Sequence, residues 1–222
     1  MRSRSRPPGP GSGSGWLAPV LAPVLAAAVL LAACGGAAGP VSPAPVSTPA
    51  ATAPTLGERV TAYDPARPAP ALRLTDQSGL PFDLTSLRGR PVLVYFGYTH
   101  CPDICPTTLA DIRAALRLVE APVGVVFVTI DPARDDAAAM KQYVDYYESA
   151  FIGLTGSEAE IAAAAEAWGV SYRKLESTPA AGYAMAHSTE TYLLDAAGML
   201  RHHLFFGAGP ELIAERIREI AG

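Results

Sequence analysis

Beyond about residue 70, hydrophobic and polar positions alternate between strand-like and helix-like patterns. Val92 to Phe96 is an apolar run and reads as a buried strand, which Gly97 and the polar residues after it end. Beyond Pro106, Leu109, Ile112, Leu116 and Val119 recur at helical spacing and predict a helix to about Glu120. Proline is tolerated at a first helical position, where its missing N–H would be unpaired anyway. That reading puts Cys105 at or near the N-cap and Cys101 in the loop above it. Val123 to Ile130 is near-continuous and β-branched, the pattern of a strand buried on both faces. A turn over Asp131 to Asp136 leads into a helix ending near Tyr147. Ser157-Glu158-Ala159-Glu160 is a capping-box pattern opening a helix through Trp168. Val170 to Leu175 reads as a strand or hairpin arm. Two hairpins are predicted, Leu72–Leu74 with Leu80–Leu84, and Thr191–Asp195 with Met199–Phe206. Leu84 to Leu87 reads as a short helical turn, and Pro210 to Ile220 as a terminal helix.

Strands alternating with helices imply an α/β fold, a central mixed sheet flanked by helices, with an N-terminal β-hairpin. A cysteine pair directly after the first central strand makes this a thioredoxin-like plan. The folded domain spans residues 58–222 on this reading. Composition adds an exclusion. The 222 residues carry a formal net charge of −4. Taking away the three arginines of the first 33 residues leaves 14 basic against 21 acidic side chains, a net of −7. A mildly acidic body argues against nucleic-acid binding.

The N-terminal part has its own logic. Arg2, Arg4 and Arg6 precede an uncharged apolar stretch over residues 16–33. It ends Leu31-Ala32-Ala33-Cys34-Gly35, small residues before a cysteine, as in a bacterial lipobox. Residues 1–33 are thus read as a signal peptide and Cys34 as the lipidated new N-terminus. The alternative is an uncleaved membrane anchor, since about 18 apolar residues are marginally long enough to span a bilayer. Pro19 and Pro23 weaken that helix. Residues 34–57 then form a linker that, apart from Cys34 and Leu56, consists of Gly, Ala, Pro, Ser, Thr and Val and has too little bulk for a core. Either reading ties the domain to the cell membrane on its extracytoplasmic face, lipid-anchored if Cys34 is modified.

With Cys34 assigned, Cys101 and Cys105 remain as a pair in the frame Cys-Pro-Asp-Ile-Cys-Pro. A strand–loop–helix setting places both sulfurs at the positive end of a helix dipole, which favours a thiolate. The pair could be a structural disulfide or two buried small residues. Thiol redox motifs usually place two residues between their cysteines; here there are three. Four histidines are candidates for a third ligand. His202 and His203 share a predicted strand and point to opposite faces, with at least one expected in solvent. His100 abuts Cys101 but should point away from its sulfur. His187 precedes the last hairpin, in a loop that a thioredoxin-like fold brings near the cysteines. Two thiolates and one imidazole suit Cu(I). Structural zinc would want a fourth ligand, for which Asp103, Met185 and the other histidines are the candidates.

Five segments together resemble the Sco/SenC family: Tyr95-Phe96-Gly97-Tyr98-Thr99, Cys101 to Pro106, Asp131-Pro132-Ala133-Arg134-Asp135, Gly153-Leu154-Thr155-Gly156 and His187-Ser188. The resemblance covers about residues 67–221. It implies a thioredoxin-fold copper protein that assists assembly of cytochrome c oxidase. It implies Cu(I) bound by Cys101, Cys105 and His187, with Cu(II) left open as a second state. The implied partner is the binuclear copper site of oxidase subunit II, reached by metal delivery or by reduction of its thiols. A separate extracytoplasmic copper donor is left open as a further partner. Asp131 and Arg134 are implied to hold the turn beside the site. The rival reading is a thiol–disulfide reductase in which Cys101 and Cys105 act as the redox pair.

Overall fold

A computed structural model describes residues 59–176 and 182–221. The segments read as a signal peptide and a linker, with Cys34 between them, lie outside the described residues. Among the described residues no helix is long and apolar enough to cross a membrane.

Among the described residues ten strands and four α-helices follow in the order β1 (Val60–Pro68), β2 (Arg73–Asp76), β3 (Pro81–Asp83), β4 (Val92–Gly97), α1 (Ile104–Leu116), β5 (Gly124–Thr129), α2 (Ala137–Tyr147), β6 (Ile152–Thr155), α3 (Glu158–Trp168), β7 (Tyr172–Leu175), β8 (Ala184–His187), β9 (Thr191–Leu194), β10 (Met199–Leu204) and α4 (Gly209–Ala221), with the expected helical turn at Leu84–Leu87. Eight strands form one mixed sheet in the order β1-β10-β9-β4-β5-β6-β2-β3, and β7 and β8 form a separate ribbon. β4, β5 and β6 run parallel, whereas β9, β10 and β1 continue the sheet antiparallel. The two long apolar runs lie at its centre because every residue of β4 and β5 is buried. The four helices flank the sheet, in the thioredoxin-like arrangement expected.

Local signals account for most boundaries. Ser157 accepts from Glu160 N–H while Glu160 reaches back to Ser157 N–H, completing the capping box of α3. Asp136 caps α2 by accepting from Ala139 N–H. The first hairpin turns on Asp76, whose carboxylate accepts from Ser78 and Leu80 N–H at 2.7 and 3.0 Å.

Three elements depart from the pattern reading. β1 is not predicted and precedes the hairpin, so the hairpin is not the first element of the domain. Only every third residue of β1 turns inward, it carries Pro65 and Pro68, and its register with β10 shifts between Ala62 and Arg67. Prolines and irregular pairing suit an edge strand and blur the two-residue period. β6 is short and contains Gly153, at which a Cβ would lie 3.2 Å from side-chain atoms of Met140 and Val144 on α2. β8 occupies the stretch read as a loop before the last hairpin. In its partner β7, Tyr172 pairs with His187.

Candidate metal centre

The site forms where β4 ends and α1 begins. α1 opens at Ile104, with Asp103 as its N-cap, so Cys105 is the second helical residue and Pro106 the third. Cys105 thus lies near the cap as expected, whereas Pro106 is the third helical residue and not the first. None of the first four helical N–H groups has a partner within the helix, so proline is tolerated throughout the first turn. Cys105 is buried, and Cys101 in the preceding loop is half-buried. The first turn also supplies a donor, for Cys105 N–H points at Cys101 Sγ at 3.4 Å.

β4 shapes the pocket for these sulfurs. Tyr95 and Gly97, two apart on a strand, share a face. At Gly97 an added Cβ would meet Cys105 Sγ and the Phe127 ring, both at 2.8 Å. Only glycine lets the helix start this close to the strand. The Tyr95 hydroxyl donates to Cys105 Sγ at 3.5 Å. Neither residue carried a site role on the sequence reading; the glycine at the strand end and the two-residue period were the available signals.

His187 arrives on the ribbon. Its Nδ1 lies 2.5 Å from the carbonyl of Ser188. A carbonyl can only accept, so Nδ1 carries the proton and Nε2 keeps its lone pair. Nε2 lies 3.5 Å from Cys105 Sγ. The rings of Tyr95 and Tyr98 stand edge-on to the imidazole, at 6.4 and 5.9 Å between centroids. A staple fixes the ribbon to the β5–α2 turn. Arg134 Nε binds the Asp131 carboxylate at 2.5 Å, and Arg134 Nη1 donates to the Tyr183 carbonyl at 2.9 Å. The Tyr183 hydroxyl donates to Asp131 at 2.6 Å. The Tyr183 ring lies 3.6 Å from the Arg134 guanidinium and 3.7 Å from the Lys174 ammonium. Met185 N–H donates to the Tyr98 hydroxyl at 3.3 Å and closes the seam.

Asp135 pins the other side. Its buried carboxylate accepts from Thr99 N–H at 2.9 Å, from Thr99 Oγ1 at 2.5 Å and from Thr129 Oγ1 at 2.6 Å. The loop that carries Cys101 is thereby tied to the end of β5.

The structure thus brings Cys101, Cys105 and His187 together, with their ligand atoms all within 4.8 Å of one another. No fourth His, Cys, Asp or Glu among the described residues joins them. Asp103 is the cap of α1, and Met185 packs against the core. His100 lies 3.0 Å from Thr99 Oγ1 and 3.6 Å from Asp135. Neither His202 nor His203 stands free in solvent as expected of one of them. His202 is buried, with Nε2 3.9 Å from Glu219 of α4, and His203 is half-buried, with Nε2 2.7 Å from the Tyr63 hydroxyl. α4 lies over His202, and Tyr63 of β1 and Tyr192 of β9 stand edge-on to the His203 ring and partly cover it.

The two thiols divide one charge. Donation from the Cys105 thiol holds Cys101 down to about 4, aided by the N–H groups of Cys105 and Asp103, against the cost of burial. Cys105 is pushed up because its proton is held against Cys101, and burial adds to this. In the reduced, metal-free chain the Cys101 alkylation rate should therefore be flat from about pH 6 to 8, with Cys105 far slower. A Cys101 rate still climbing about tenfold per pH unit over that range would contradict this, because it is the profile of an ordinary thiol. Iodoacetamide labelling read by peptide mass spectrometry makes the measurement.

Known proteins resemble this chain in sequence and in fold. A SCO2-like protein of Rickettsia conorii is 38% identical over 151 residues, covering 65% of this chain and 73% of the relative. Copper-bound ScoI of Bradyrhizobium japonicum superposes with a TM-score of 0.62 at 34% identity, over 69% of this chain and 99% of that one. Copper-bound yeast Sco1 does so with a TM-score of 0.63 at 28% identity, over 69% and 87%. The SCO1/SenC family model matches residues 61–222, the strand–loop–helix with its cysteine pair and the ribbon with its histidine included, and the chain belongs to the SCO1/SenC family.

Proposed function

We propose that this chain is a copper chaperone. It takes one Cu(I) on Cys101, Cys105 and His187 and passes it to the binuclear copper site of cytochrome c oxidase subunit II. The observation that carries this reading is the convergence of two sulfurs and one unprotonated imidazole nitrogen within 4.8 Å. Soft sulfur and imidazole donors in a low-coordinate set suit Cu(I), whereas structural zinc asks for a fourth ligand. The copper-bound relatives support the same assignment. The chain's residues give each donor a distinct part. Cys101 already favours the thiolate form. Cys105 must give up its proton on binding, so uptake releases a proton. The Ser188 carbonyl keeps the His187 lone pair on Nε2. Cys101 is half-buried, which leaves an edge where a partner's ligands can enter before the donors here let go.

The chain works from a tether in this reading. Cleavage before Cys34 and lipidation of its thiol would hold the domain at the extracytoplasmic face of the membrane. At roughly 3.1 Å per residue in an extended polyproline form, the linker would reach about 70 Å from the bilayer.

Transfer is the test. Copper-loaded chain mixed with metal-free soluble subunit II domain should lose its metal to that domain, faster than the domain gains copper from a small-molecule Cu(I) complex. Reduction of an oxidised subunit II domain by the metal-free chain, with no metal transfer from the loaded one, would overturn the proposal in favour of thiol–disulfide exchange. The mass of the mature N-terminus tests the tether: a lipidated Cys34 is expected, and a retained Met1 would reject processing.

A further inference from the structure

Tyr95 is wholly buried on β4, in a core where apolar side chains surround it. Phenylalanine would fill the same volume and leave no hydroxyl in need of a partner. The hydroxyl that is present donates to the sulfur of Cys105 at 3.5 Å. Its ring is fixed by Phe127 at 6.0 Å and stands edge-on to His187 at 6.4 Å. The nearby Tyr98 is different, for its hydroxyl accepts from Met185 N–H at 3.3 Å and serves the ribbon. The two sulfurs are therefore supported unequally. Backbone N–H groups face both sulfurs, and Cys105 also receives a side-chain hydroxyl.

We propose that Tyr95 is a positioning residue that biases the site toward Cu(I), through the hydrogen bond from its hydroxyl to Cys105 Sγ. The proposal rests on the copper reading above. A thiolate binds Cu(II) by sharing more electron density than it shares with Cu(I). A hydrogen bond to the sulfur withdraws part of that density, so it weakens the Cu(II) form more than the Cu(I) form. Hydrogen bonding around a ligating sulfur is an established lever on copper potentials in general. Here the lever is a rigid side chain whose removal changes no charge and little volume.

The test uses the full chain with Tyr95→Phe and, as a control, Tyr146→Phe on the exposed side of α2. Each is loaded with Cu(II) ions and with Cu(I) ions. Two quantities are read: the energy of the sulfur-to-Cu(II) charge-transfer absorption, and the reduction potential of the bound copper. In Y95F the absorption should move to lower energy and the potential should fall. The ratio of Cu(I) to Cu(II) affinity should drop about fivefold, the equilibrium equivalent of one ordinary hydrogen bond. Y146F should keep the wild-type absorption and potential. Uniform 3-fluorotyrosine labelling keeps every ring and makes each phenol a stronger donor, so it should move both readings the opposite way; it supplies the test if Y95F does not fold. A loaded chain whose absorption and potential are indifferent to both changes overturns the role of Tyr95 alone. A wild-type chain that takes up no copper overturns the copper reading and this role with it.

Discussion

Replacing Cys101, Cys105 or His187 by alanine is expected to remove nearly all of the copper-dependent rise in melting temperature of the reduced chain. A ligand that binds only the folded state stabilises it by about 2.7 kcal/mol when present at a hundredfold its Kd. For a domain of this size that is a rise of roughly 5–11 °C. Loss of even an outer-sphere partner costs metal sites about 10–100-fold in affinity, and these three side chains are the donors themselves. A hundredfold weaker Kd at the same free copper leaves only about 0.4 kcal/mol of stabilisation, about 1 °C. His202→Ala and His203→Ala should keep the full copper-dependent rise over their own metal-free values, since neither ring reaches the sulfurs. Scanning calorimetry under anaerobic conditions with buffered Cu(I) reads the effect. A His187→Ala variant that keeps the wild-type rise would show that the third donor is misassigned.

The second large effect falls on a residue that touches no metal. Asp135→Ala should destabilise the metal-free fold by about 3–5 kcal/mol, the cost of breaking a buried charged hydrogen-bond network. The carboxylate accepts from Thr99 N–H, Thr99 Oγ1 and Thr129 Oγ1. Alanine leaves a cavity lined by these donors, two of them on the Cys101 loop. Asp135→Asn keeps the shape, yet one side of the group then presents N–H to donors, so it should recover only part of the loss. Copper affinity should fall along with stability, because the loop is no longer held to β5. Chemical denaturation gives the stability and a competition titration the affinity. An Asp135→Ala variant within about 0.5 kcal/mol of wild type, the range of ordinary surface changes, would contradict the account.

These two sites differ in how far the sequence disclosed them. The centre of the fold is legible because β4 and β5 are uninterrupted apolar runs buried on both faces, and because Ser157 and Glu160 announce α3. The cysteine pair is legible because Cys-Pro-Asp-Ile-Cys-Pro lies between a strand and an amphipathic helix. His187 is a different case. Its approach to Cys105 depends on a ribbon that pairs Tyr172 with His187 and on the Arg134–Tyr183–Asp131 staple. Both are contacts between segments far apart in the chain, which leave no periodic trace in either. The thioredoxin-like plan put its loop near the cysteines, and the family resemblance made it a ligand; periodicity gave no sign of the contact itself. β1 was lost to its prolines and three-residue inward spacing, and the burial of His202 and His203 depends on α4 and β1 covering an otherwise alternating strand. Tyr95 reads as one more core aromatic until the helix start is seen to bring a sulfur to its hydroxyl.

The central claim is that Cys101, Cys105 and His187 act together as one copper site. Anaerobic titration of the reduced full chain with Cu(I), followed by timed alkylation and peptide mass spectrometry, tests it most directly. The account predicts that protection of both cysteines rises together and is complete at one equivalent of copper, and that His187→Ala weakens the protection. Equal alkylation rates with and without one equivalent of Cu(I) would contradict it and leave thiol exchange as the work of the pair.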